Sequence, residues 1–136
     1  MDYAIKTEIS DPDAVEYSFL EQKTMYGGKQ VMAGDTIYLF ASENEGGSGL
    51  FARGIVVEAT RVPKKANVAR QTPRVSLKVR RNALASRPLG RRELVRHKEW
   101  NDEKPQTELN FKFYRQATNK VVGLSEMAAV FLDGFF

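Results

Sequence analysis

Residues 34–60, GDTIYLFASENEGGSGLFARGIVVEAT, decide the fold. They read as two strands joined by a polar, glycine-rich loop. In the first run Ile37, Leu39 and Ala41 point one way and Thr36, Tyr38 and Phe40 the other; in the second, Ile55, Val57 and Ala59 share a face. Period-two alternation bounded by Gly and Asp is the signal of a half-buried strand. Gly34-Asp35 is the turn that launches the first strand. Gly54, inside the second, marks a bulge or a close approach to the backbone. These strands are expected at the centre of a small barrel, with a pocket on the side where Tyr38 and Phe40 emerge.

Upstream, residues 3–9 alternate as a strand. Asp11-Pro12 carries the marks of a helix start, an N-cap followed by proline at the first helical position, so a helix is expected to about Glu21, burying Val15, Phe19 and Leu20. A loop with Gly27-Gly28 follows, in which Lys23, Met25, Tyr26 and Lys29 crowd together beside the central strand. It reads either as a pocket wall or as a surface connection plugged by Met25 and Tyr26.

Downstream, residues 61–74 form a basic excursion with two prolines. Alternation returns with Val75, Leu77 and Val79 inward and Ser76, Lys78 and Arg80 outward. Residues 83–89 connect to a short helix near Gly90–Lys98. Trp100, the single tryptophan, stands in a polar loop as a core lid or a stacking surface. Residues 108–114 alternate Leu109, Phe111 and Phe113 against Asn110, Lys112 and Tyr114, and are expected as a strand. Ser125 caps a final helix in which Leu124, Met127, Ala128 and Phe131 recur at helical spacing. The expected fold is α+β: a small mixed β-barrel of five or six strands flanked by two or three helices, in one domain of 136 residues.

Composition narrows the chemistry. The 42% hydrophobic and 28% charged content is that of a globular protein, and no apolar run approaches the ~18 residues of a membrane helix. The acidic, strand-like start reads as no signal peptide. With no cysteine and one histidine, His97, thiolate catalysis, zinc ribbons and most histidine metal sites fall away; no cofactor and no metal are expected, and the cytoplasm is the expected location. The 43–49 loop, ENEGGSG, lacks the acid ladder of an EF-hand and the Lys-Ser/Thr of a P-loop, and reads as a flexible hairpin loop.

The net charge of +4 hides segregation. Between Arg61 and Lys98 stand thirteen Lys and Arg against one acid, Glu93, a local charge of +12; the remaining residues total −8. Such a block is the footprint of a polyanion partner, nucleic acid first, or of a solvated basic face. An acidic protein partner fits it too.

Two stretches carry a resemblance to a known superfamily. Residues 19–24, FLEQKT, leading to 34–40, GDTIYLF, are similar to the helix, basic loop and Gly-Asp strand of ASCH and EVE domains. Residues 52–56, ARGIV, resemble the next strand of EVE domains. The chain thus resembles the PUA-like superfamily, which includes PUA, ASCH, EVE and YTH domains. The resemblance implies one of two functions. EVE- and YTH-like proteins are readers that hold a modified or flipped base in an aromatic pocket. Some ASCH-like proteins are amidohydrolases acting on acetylated cytidine; here Lys23, Thr24 and Glu58 stand where that chemistry needs a Lys, a Thr and a Glu, although Met25-Tyr26-Gly27-Gly28 replaces the charged pair that follows in ASCH domains.

A base reader needs aromatic faces for stacking, polar groups for the base edge and cations for phosphates. Tyr26, Phe40, Trp100 and Tyr114 are the candidate stackers. Ser42, Asn110 and Gln116 are candidates for the edge. Lys23, Lys29, Arg74, Lys78, Arg80, Arg81, Arg91, Arg92 and Arg115 are candidates for phosphates.

Overall fold

The computed structural model describes residues 1–115 and 119–136. Six strands close into a barrel: β1 (Asp2–Thr7), β2 (Glu16–Met25), β3 (Thr36–Ala41), β4 (Gly49–Arg61), β5 (Arg74–Leu84) and β6 (Lys120–Leu124). Their order around the barrel is β1-β3-β4-β5-β2-β6. The β1/β3 and β2/β6 pairs are parallel and the others antiparallel. Closure rests on a short β2/β6 seam, where Thr24 faces Val121 and Met25 faces Val122. Among the described residues, three helices, α1 (Arg91–Leu94), α2 (Pro105–Phe113) and α3 (Glu126–Asp133), complete the expected α+β architecture of a small mixed β-barrel flanked by helices.

Two cores follow from strands buried on both sides. The barrel interior holds Ile5, Ile37, Leu39, Val56, Leu77 and Val121. A second layer, between the outer barrel surface and the helices, holds Tyr38, Phe40, Leu109, Phe113, Val122 and Leu132. Tyr38 and Phe40 do point away from Ile37 and Leu39, but into this second core rather than into an open pocket; Phe40 packs on Phe113 with ring centroids 4.9 Å apart.

Several elements differ from the sequence expectation. Residues 16–25 form a strand, not a helix. Asp11 does cap, but only a turn, its carboxylate accepting from the Asp13 N–H at 3.0 Å. Tyr17 and Phe19 then alternate inward, and a bulge between Phe19 and Gln22 breaks the pattern at Glu21, which takes a left-handed φ of 49°. Residues 105–113 form a helix, not a strand: Pro105 opens it, and Leu109 and Phe113, one turn apart, bury the same stripe. In β4 Ala52, Gly54 and Val56 alternate inward and Ile55 and Val57 share the exposed face, but the bulge between Val56 and Glu58 takes Ala59 off that face and turns it toward the barrel core. Gly54 combines both readings of its glycine: a Cβ there would lie 2.6 Å from the Arg80 carbonyl oxygen. Ser125 caps α3 as expected, its Oγ accepting from the Ala128 N–H at 3.1 Å, but Met127 faces out and Ala129 and Leu132 take the buried stripe. β6 has no counterpart in the expectation. Trp100 is not a core lid; it is 78% exposed.

Candidate nucleic-acid interface

Strand register builds the site. Residues paired across neighbouring strands project to the same side of a sheet. On the outer face, Tyr38, Ala4 and Val122 form one such row across β3, β1 and β6, and Phe40, Lys6 and Lys120 form the next. The first row is apolar and underlies α3. The second turns polar, and Ser42 continues the same side of β3 one step further on. The apolar layer therefore ends in a packed cluster of buried polar groups, a polar chamber that is filled by its own side chains.

Lys6 and Lys120 are 1% and 0% exposed. Lys6 Nζ donates to the Phe113 carbonyl oxygen at 2.5 Å, at the end of α2, and lies 4.8 Å from the centre of the Tyr114 ring. The Tyr114 hydroxyl donates to Glu43, with both carboxylate oxygens at 3.1 Å. Glu43 also accepts from the Arg91 backbone N–H at 2.7 Å. The Ser42 hydroxyl is buried and has no hydrogen-bond partner among the described residues. Asn110, one turn before Tyr114 on α2, donates from Nδ2 to the His97 carbonyl at 2.9 Å and leaves Oδ1 without a partner among the described residues.

The electrostatics follow from burial. Desolvation lowers the Lys6 pKa, and Glu43 opposes the shift. Desolvation and the charge of Lys6 lower that of Lys120. Burial, then Glu43, raises that of the Tyr114 hydroxyl. Two ammonium groups withdrawn from water are costly to folding unless hydrogen-bonded. Clusters of groups so perturbed mark functional sites more often than random surface does.

Glu43 links this chamber to the outside. It forms part of the wall of a groove of about 580 Å³ between Gly47-Ser48 and α1, with Arg91 and Arg92 beside it. The loop read from sequence as a flexible hairpin is thus a short 3-10 turn, Glu43–Glu45, whose first residue holds Tyr114 and the start of α1.

The basic block lies along β5 and its two connections. β5 is about 33 Å long at ~3.3 Å per residue. In its middle the cations are tied to neighbouring strands and turns: Lys78 to Glu58 at 3.5 Å, Arg80 to Glu16 at 3.2 Å, and Arg81 to the Pro12 carbonyl at 3.0 Å. Such exposed ion pairs are worth only ~0–1 kcal/mol each and yield readily to a stronger anion. At the start of β5 the 62–73 excursion folds over β2 and encloses a cleft of about 500 Å³ whose lining includes Lys23, Lys64, Lys65, Arg70 and Arg74. The excursion is clipped rather than loose. Gln71 exchanges two hydrogen bonds of 2.8 Å with the Lys65 backbone, and Thr24 fastens its far end by donating from Oγ1 to the Pro73 carbonyl at 2.7 Å.

The expected site residues therefore divide. Phe40, Ser42, Asn110 and Tyr114 come together around the end of α2, with Phe40 as buried flooring rather than a stacking face. Tyr26 stands apart, half-exposed, with Lys112 Nζ 5.1 Å from its ring centre. Trp100 lies on the surface between α1 and α2. Lys23 and Arg74 share the cleft, Arg91 and Arg92 flank the groove, and Lys29 and Arg115 are exposed outside both. Gln116 lies outside the described residues. Lys23, Thr24 and Glu58 do not converge: the β5 partners of Lys23 and Glu58, Arg74 and Lys78, lie four residues apart, about 13 Å along the strand. The Thr24 hydroxyl is already engaged and buried. Sequence reading missed Lys6, Glu43 and Lys120. The available signal was Lys6 itself, a charge directly after the apolar run Tyr3-Ala4-Ile5 in a strand.

No protein-family model and no curated protein sequence matches the chain. Solved structures share its fold at low identity. The DUF55 domain of human thymocyte nuclear protein 1 is 12% identical, with a TM-score of 0.65 over 96% of this chain and 95% of that one. Human THYN1 in complex with 5-methylcytosine-containing DNA is 12% identical, with a TM-score of 0.66 over 96% and 94%. A protein from Pseudomonas putida is 11% identical, with a TM-score of 0.65 over 99% of both chains.

Proposed function

We propose that this chain is a nucleic-acid-binding module that accepts one modified or flipped base at the chamber beside α2 and holds the backbone with the basic residues around it. The observation that carries this reading is the polar chamber. It gathers two buried lysines, Lys6 and Lys120, and a half-shielded Glu43 at the end of an apolar layer, where burying charge is costly to folding. In the proposed complex Glu43 accepts from an exocyclic amino group, as carboxylates do from cytosine N4. Ser42 supplies a further hydrogen bond, the Tyr114 ring supplies a π face, and Arg91 and Arg92 meet the flanking phosphates. A neighbour in fold, human THYN1, is bound to 5-methylcytosine-containing DNA, which supports this class of ligand.

The test is binding of short DNA and RNA oligonucleotides, with and without 5-methylcytosine, followed by fluorescence anisotropy. Tighter binding of one modified form, lost on Glu43→Gln and on Tyr114→Ala, is the expected result. Equal binding of all oligonucleotides, unaffected by either change, removes the chamber from recognition. Absence of binding at low salt removes nucleic acid altogether.

A further inference from the structure

Lys23, at the mouth of the cleft, and Lys120, in the chamber, are neighbours by register. Thr24 pairs with Val121 in the parallel β2/β6 seam, so the preceding residues, Lys23 and Lys120, sit side by side. Lys120 pairs with Lys6 across β6 and β1, and Lys23 pairs with Arg74 across β2 and β5. Four consecutive strands therefore place Lys6, Lys120, Lys23 and Arg74 in one row, at strand spacings of ~4.8 Å. The row begins in the chamber and ends in the cleft beneath the 62–73 excursion.

The cleft cations are also poised for an external anion. Lys23, Lys64, Lys65, Arg70 and Arg74 form no ion pair with any carboxylate among the described residues, whereas Lys78, Arg80 and Arg53 each have one. Glu21, the one acid in the lining, offers only its carbonyl, to Arg74 at 2.7 Å. Five cations that share a lining with one carboxylate and pair with none repel one another, and a clipped loop that keeps them close suits a ligand carrying several negative charges.

We propose that this cleft binds consecutive phosphates of the nucleic-acid strand whose base occupies the chamber, so that the backbone leaves the chamber across Lys23 and ends beneath the 62–73 excursion. The proposal rests on the reading of the chamber as a base site, and it assigns to Lys64, Lys65 and Arg70 a role in affinity without a role in base choice.

The test compares the wild-type chain with a K64S/K65S/R70S variant, whose changes lie in the exposed excursion and whose thermal melt checks folding. Both are titrated with modified and unmodified oligonucleotides between about 50 and 200 mM salt. The variant should bind every oligonucleotide more weakly by the same factor and keep the wild-type preference between modified and unmodified forms. Its salt slope should be shallower by about 0.7–0.9 for each phosphate it no longer neutralises. An unchanged slope and affinity in a folded variant overturns the proposal while leaving the chamber reading intact. Failure of the wild type to bind any oligonucleotide sinks the chamber reading instead. Inorganic pyrophosphate is the third probe. If it binds the wild type and not the variant while oligonucleotide slopes stay equal, the cleft serves a free phosphorylated anion and the strand path is wrong.

Discussion

Lys6→Met separates a lysine kept for binding from one kept for folding. Methionine matches the length of the lysine stem, so packing against Phe40 and Tyr114 is nearly preserved. Two opposing effects remain. The Phe113 carbonyl loses its 2.5 Å donor, a penalty of about 1–3 kcal/mol for a buried acceptor left unmade. Against this, one of two adjoining buried ammonium groups disappears, and relief of such desolvation is of similar size. The net change in unfolding free energy should stay within about 1 kcal/mol in either direction, which is roughly 5 °C or less in Tm. Oligonucleotide binding should weaken by about 10- to 150-fold, the equivalent of losing a charged hydrogen bond worth ~1.5–3 kcal/mol. The pH dependence gives a second check. The folded Lys6 pKa lies below its ordinary value, near 10.4 in the unfolded chain. Between those two values the unfolded chain carries more protons, so stability rises with pH across that window, and Lys6→Met should flatten the rise. Urea unfolding at several pH values measures both quantities. A loss above about 3 kcal/mol with unaltered affinity of the folded fraction would show that Lys6 is a structural fastener and would refute the reasoning.

Four further outcomes follow from the same geometry. Phe40→Ala should cost about 3–5 kcal/mol in urea unfolding, because its ring is buried against Phe113; a near-neutral result would mean the second core is not packed as described. Thr24→Val should cost about 0.5–1.5 kcal/mol by removing the hydroxyl, one of the two Thr24 donors to the Pro73 carbonyl, while the backbone N–H bond at 3.1 Å remains; the shift of the urea midpoint measures it. Trp100→Ala should alter stability by no more than about 0.5 kcal/mol, given its exposure, so any loss of oligonucleotide affinity it brings reports direct contact. Ser125→Ala should lower stability by about 1 kcal/mol through loss of the α3 cap, read as a drop in Tm.

The sequence made the central hairpin, β1, β5 and the last helix legible because each repeats at its proper period. It misled where geometry breaks the period. The bulge at Glu21 hides β2, since Tyr17 and Phe19 obey the alternation for only one cycle before Glu21 breaks it, and Leu20 puts an apolar residue on the exposed face. In 108–114, Leu109, Phe111 and Phe113 satisfy a strand and a helix alike; Pro105 was the arbiter, and Phe111 is only half-buried in the helix that forms. β6, five residues buried throughout, offers no alternation to read. The chamber was half visible. Ser42, Asn110 and Tyr114 are residue types that suggest recognition, but Glu43 sat in an apparently ordinary loop. Lys6 and Lys120 acquire their meaning only from β1/β6 register, which joins residues more than a hundred positions apart.

The parallel seam between β2 and β6 carries a thermodynamic consequence. With Thr24–Val121 and Met25–Val122 as its register, it is the least extensively paired junction of the barrel among the described residues and the natural place for the hoop to spring. Amide protons of Val121 and Val122 should then trade with deuterium sooner than those of Leu77 or Val79, deep in the long β5. A strand whose base sits beside Lys120 and whose phosphates meet Lys23 would bridge that gap. Its binding energy would then appear as slower exchange at the seam, and the ligand would act as a clasp on the barrel it occupies.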